Sequence, residues 1–145
     1  MKFIRVTSLL LFSAIITAFL SVPITTASYT IWLSSIEMPV TLNLFIASLI
    51  HDWFNLGVTL FLLFLAGFLI AFLSSKLLLL LVSWEKKIVY GVSGACAVAA
   101  ILYFSVALLF ETQIIAGNRY TLGWMFHIIF GFSGGYIFAS FLKKI

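Results

Sequence analysis

Residues 120–144 read YTLGWMFHIIFGFSGGYIFASFLKK, and the reading of this stretch decides the fold class. No charged side chain interrupts it from Thr121 to Leu142, and Lys143 and Lys144 close it. As a helix, residues 121–142 would measure about 33 Å, enough to cross a bilayer core of about 30 Å. Gly123, His127, Gly131, Gly135 and Ala139 recur every four positions, so they share one narrow stripe. Small residues at that spacing form the usual seam between membrane helices, where close backbone contact replaces the drive that water supplies elsewhere. That is architecture, and no reaction follows from it.

Composition agrees. The 145 residues are 64% hydrophobic and 8% charged, with a mean hydropathy of +1.27, far from the roughly 25% charged residues of soluble domains. The net charge of +4 comes from eight basic residues gathered at the ends of apolar runs, which is how membrane flanks look and excludes nucleic acid as a partner. Cys96 is the single cysteine, so neither an intrachain disulfide nor a Cys-x-x-Cys redox pair exists. Phosphate-loop, Gly-x-Ser-x-Gly and His-Glu-x-x-His signatures are absent as well.

Outward from the last segment, residues 88–110 form another predicted span, with Gly91, Ala95 and Ala99 again four apart and Gly94 beside them. The predicted packing residues are therefore Gly91, Ala95, Ala99, Gly131, Gly135 and Ala139. The polar loop from Glu111 to Arg119, with Gly117-Asn118 as its turn, is short enough to hold the two helices as antiparallel neighbours. Residues 54–84 carry one charge, Lys76, and as one straight helix would measure about 46 Å. The expectation is a span at about 55–75 with Leu77 to Trp84 lying along the inner surface; one tilted helix is the alternative.

At the start, Lys2 and Arg5 precede an uncharged run that ends before Pro23, a first span at about 6–27. Thr25-Thr26-Ala27 is an imperfect cleavage site, which leaves a signal peptide as the alternative. Ser13, Thr17 and Ser21 form a polar stripe on this segment. Glu37 and Pro39 argue against a span over the next stretch, since a central carboxylate costs about 3 kcal/mol on insertion scales. It is read as external, with Pro39 to Ile50 a short interfacial helix and Trp32 and Trp53 at the headgroup level.

This arrangement places Lys2, Arg5, Lys76, Lys86, Lys87, Lys143 and Lys144 on one side and Arg119 alone on the other. The expected fold is an all-α integral membrane protein in one domain, 1–145. It is a four-helix transmembrane bundle in a bacterial inner (plasma) membrane, with both termini cytoplasmic.

The remaining chemistry gathers at the expected outer face: Glu37, His51, Asp52, Glu111, Arg119 and His127. Adjacent His51 and Asp52 are expected to point apart, and no His-x-x-x-His or Glu-x-x-His pair is present, so a metal site would need three separate segments. Arg119 is expected to pair with Glu111 or Asp52, and His127 to bond a carbonyl as a packing residue. No cofactor and no catalytic residue is expected. The aromatic content of 17% reads as lipid and interface contact. The functional expectation is a non-catalytic accessory or assembly subunit that binds other membrane subunits, or copies of itself, through small-residue seams. A small-solute or ion transporter component is one alternative, and a metal or haem protein using His51 and His127 another.

Overall fold

A computed structural model describes residues 2–107 and 120–142, all helices and connecting turns with no strand among them. Five helices follow one another: α1 Lys2–Ser35, α2 Leu42–Phe54, α3 Leu56–Leu81, α4 Lys86–Ala107 and α5 Thr121–Leu142. All but α2 are long and apolar enough to cross a membrane. Expected features on residues 108–119, namely the end of the 88–110 segment, Glu111, the Gly117-Asn118 turn and Arg119, lie outside the described residues.

Three boundaries differ from those expected. The first helix does not stop near residue 27: it continues through Pro23 to Ser35, about 51 Å in all. Proline at position 23 has no N–H to give the Phe19 carbonyl four residues back, which is the usual reason a helix breaks. Here the Trp53 indole N–H donates to that carbonyl at 3.3 Å, and its ring stacks on Phe19 with centroids 4.9 Å apart. A residue distant in sequence thus supplies the missing donor. The second difference is that α2 starts at Leu42 and not at Pro39, because the Thr41 side chain accepts a hydrogen bond from Leu44 N–H at 3.2 Å and fixes the first turn. The third is that α3 continues unbroken past Ser75 to Leu81, with no separate surface segment over residues 77–81. Ser74 and Ser75 return their hydroxyls to Ile70 and Ala71 carbonyls within the helix and leave its backbone ladder intact.

Between α1 and α2 the chain turns through Glu37, whose φ of 61° is left-handed. Met38 N–H bonds the Leu33 carbonyl and Glu37 N–H bonds that of Ser34, closing α1 with the pair of bonds that usually favours glycine at the left-handed position. Glu37 and Pro39 therefore sit in a turn, exposed. From there α2 returns along the second half of α1, and Asn55 separates it from α3 by holding the His51 carbonyl with both its backbone and side-chain N–H.

The four long helices make a ring in which α1 packs on α3 and α5, and α4 packs on α3 and α5. Its centre is a column from α3: Leu60, Phe64, Phe68 and Phe72 are four apart and at most 5% exposed. Phe72 stacks on Phe138 of α5 at 4.5 Å and meets Tyr90 of α4 edge-on at 5.4 Å. Part of the aromatic content assigned to lipid contact thus forms the core.

Candidate functional site

The middle of α1 carries a buried polar cluster, and it grows from the spacing of its side chains. Ser13, Thr17, Ser21 and Thr25 repeat every four positions on one helical face, with Thr26 beside Thr25, and all five are at most 3% exposed. Ala14, Ala18 and Val22 alternate with them on the buried side, so α1 presents small residues, polar and apolar, to its neighbours.

His127 meets this face from α5 and is fully buried. Its Nδ1 lies 2.6 Å from the Gly123 carbonyl oxygen, one turn earlier on its own helix. A carbonyl accepts, so Nδ1 carries the hydrogen. Its Nε2 lies 3.3 Å from Thr25 Oγ1, whose single hydrogen is shared between that nitrogen and the Ser21 carbonyl at 3.2 Å. Both ring nitrogens are therefore engaged by protein groups, one within α5 and one across to α1.

One residue further along α1, Thr26 turns to the other neighbour and donates to Asp52 Oδ2 of α2 at 2.7 Å. Asp52 Oδ1 lies 3.7 Å from Nδ1 of the exposed His51. The two adjacent side chains were expected to diverge; instead they lean together at the end of α2, where Asp52 is held by Thr26. Among the described residues no three His, Cys, Asp or Glu side chains converge as a metal site would require. Below Thr25, Thr17 donates to the Ser13 carbonyl at 2.9 Å, while Ser13 Oγ and Ser21 Oγ are buried with no partner.

Gly131 and Gly135 lie further along α5, in its seam with α4. A Cβ at Gly135 would run into the Tyr90 carbonyl, one at Gly94 into the Gly131 carbonyl, and one at Gly131 would stand 2.7 Å from the Gly94 oxygen. These helices touch backbone to backbone. Gly91, Gly131, Gly135 and Ala139 are buried, whereas Ala95 and Ala99 are half-buried. On α4 the buried line runs Gly91, Gly94, Val98 and Leu102, because four residues turn a helix by about 40° more than a full turn and a straight contact must mix steps of three and four. Gly134 faces the other way, toward Thr17 and Phe68.

Two grooves mark the outside. One of about 690 Å³ lies between α3 and α4 over small side chains including Gly67, Ala71, Ala97 and Ala100, with Cys96 on its wall. The other, about 480 Å³, is lined from α1, α3, α4 and α5 and includes Lys76 and Lys86.

The residues that sequence reasoning passed over are Thr25, Thr26 and Trp53's bond to Phe19. Thr25 continues the Ser13–Thr17–Ser21 spacing and Thr26 sits beside it; both fall inside the expected first span, where sequence alone marks them only as part of a cleavage site. In comparisons with protein-family models, curated proteins and solved structures, no match to this chain was found.

Proposed function

We propose that this chain is an integral membrane protein of four spans, both termini cytoplasmic, serving as a non-catalytic accessory or assembly subunit that seats a transmembrane helix of a partner subunit between α3 and α4. The observation that carries this reading is the groove of about 690 Å³ whose lining includes Gly67, Ala71, Ala97 and Ala100 among larger apolar side chains such as Ile70, Ile101 and Phe104. Between membrane helices, association depends on packing, and small side chains allow the closest backbone approach. Gly94, Gly131 and Gly135 are already engaged in the α4–α5 seam, whereas this groove is open to a partner.

Orientation rests on the positive-inside bias, seven basic residues to one. It is supported by the second groove, whose lining joins Val6, Leu80, Lys86 and Leu142 and so brings one end of each long helix together. Arg5, Lys76, Lys86 and Lys87 then share one membrane face, while α2, with no buried residue, and the Glu37 turn belong to the outer one.

Cys96 provides the test, being the single cysteine and exposed on the groove wall. Maleimide cross-linking from Cys96 in native membranes should give one defined adduct with a partner helix, and Ala100→Trp, which fills the groove, should abolish it. Phe126→Leu, on an exposed face of α5, should leave it intact. An adduct undiminished in Ala100→Trp would sink the assignment of this groove.

A further inference from the structure

We propose that the groove at the shared end of the four long helices binds one anionic diacyl phospholipid, its acyl chains along the groove and its phosphate between Lys76 and Lys86. The groove is open along its length and measures about 480 Å³, so it holds the headgroup end of a lipid whose acyl chains continue along the helices into the bilayer. Leu10, Leu73, Phe138 and Leu142 supply apolar wall from three different helices, and Lys76 and Lys86 are its charged lining residues. No carboxylate lines it among the described residues. The groove between α3 and α4 has no charged lining among the described residues, so the two surfaces call for different occupants: an apolar helix for one, and for the other an apolar body with an anionic head.

The local field points the same way. Lys86 and Lys87 open α4, whose first turn has no acidic residue, although the positive end of the helix dipole favours an anion there. Lysines in that position raise the potential further, and Glu85, immediately before them in sequence, carries one opposing charge. Lys87 is engaged elsewhere, 5.4 Å above the Tyr136 ring. An anionic headgroup between Lys76 and Lys86 would complete the charge balance that the protein leaves open.

The inference rests on the membrane reading above but not on the partner helix, and its test is separate from Cys96 cross-linking. The full chain, purified in mild detergent, is titrated with phosphatidylglycerol and with phosphatidylcholine of matched acyl chains, and bound lipid is counted by native mass spectrometry. One phosphatidylglycerol per chain should be retained, favoured over phosphatidylcholine by about thirtyfold, which is about fivefold for each lysine. The preference should vanish in Lys76→Gln/Lys86→Gln and persist in Lys87→Gln and in Lys76→Arg/Lys86→Arg. The arginine pair keeps the charge, so it separates loss of binding from loss of folding. Leu73→Trp, which fills the groove, should lower retention of both lipids. Equal binding of the two headgroups would overturn the proposal, as would a preference that survives the glutamine pair or is lost in the arginine pair. Competition by millimolar inorganic phosphate would reduce the site to one for the free anion and also overturn it. Recovery of folded protein without detergent would instead overturn the membrane reading itself.

Discussion

His127 joins two helices with a single ring, and its substitutions separate the two bonds it makes. With Nδ1–H on Gly123 and Nε2 facing Thr25, His127→Leu removes both, and a net cost of about 0.5 to 1.5 kcal/mol is expected in thermal or chemical unfolding in detergent. His127→Gln keeps an amide that can bond Thr25, so most of that stability should remain. If leucine were tolerated as well as glutamine, the hydrogen bonds would not matter to folding. Ser21 tests the opposite situation. Its hydroxyl is buried without a partner, and an unpaired polar atom costs free energy wherever nothing replaces its bonds. Ser21→Ala should therefore melt at the same temperature as the unmutated chain or higher, whereas Thr25→Ala, which removes a bonded hydroxyl, should melt lower. A drop in Ser21→Ala equal to that in Thr25→Ala would reveal a partner for Ser21.

Between elements, two contacts decide how the helices sit. In the α4–α5 seam a methyl group at position 135 would meet a backbone carbonyl that cannot rotate away, so Gly135→Ala should cost about 1 to 3 kcal/mol by forcing the helices apart. Gly57 is the built-in control: a Cβ there would lie 3.5 Å from Val22 Cγ2, an ordinary contact. Alanine is the better helix former by about 0.8 to 1 kcal/mol, so Gly57→Ala should be neutral or stabilising. Equal melting of the two variants would show that the seam is not closely packed. The second contact is the clasp of α2 on α1. Trp53→Phe keeps a ring to stack on Phe19 but removes the N–H, for an expected cost of about 0.5 to 1.5 kcal/mol. In a Pro23→Ala background the new alanine N–H serves the Phe19 carbonyl, so the same Trp53→Phe change should cost less. A double-mutant cycle with no coupling between the two positions would show that the indole is not the proline's substitute.

For the molecule as a whole, the proposed insertion makes a statement about sides. Reporter fusions after Ile145 and within Glu85 to Lys87 should report cytoplasm, and a fusion at Glu37 the outside. A cytoplasmic signal at Glu37 would invert the arrangement on which both proposed grooves depend. Interiors of this kind place few demands on polar chemistry. The cluster around Thr25, Thr26, Asp52 and His127 is bonded within the protein and ties α1 to α2 and α5, so its visible work is to fix three helices together.

What residues 120–144 determined by themselves was the helical class, because an uncharged run of that length, with small residues every four positions, has few other ways to satisfy its backbone. The same local logic placed α5 at Thr121–Leu142 and kept Glu37 out of a span. Local logic failed just beyond Pro23, where the expected span ends near residue 27 and the helix runs on to Ser35; the carbonyl that the proline abandons is bonded by Trp53, 30 positions away. It failed in part on α4, where sequence spacing alone weighs Ala95 and Gly94 alike, while the crossing of α5 brings the Gly131 carbonyl onto Gly94. The pairings of Thr25 with His127 and Thr26 with Asp52 were not readable at all. Adjacent residues on one helix face different neighbours, and only the packing of three helices around α1 decides which neighbour each one meets.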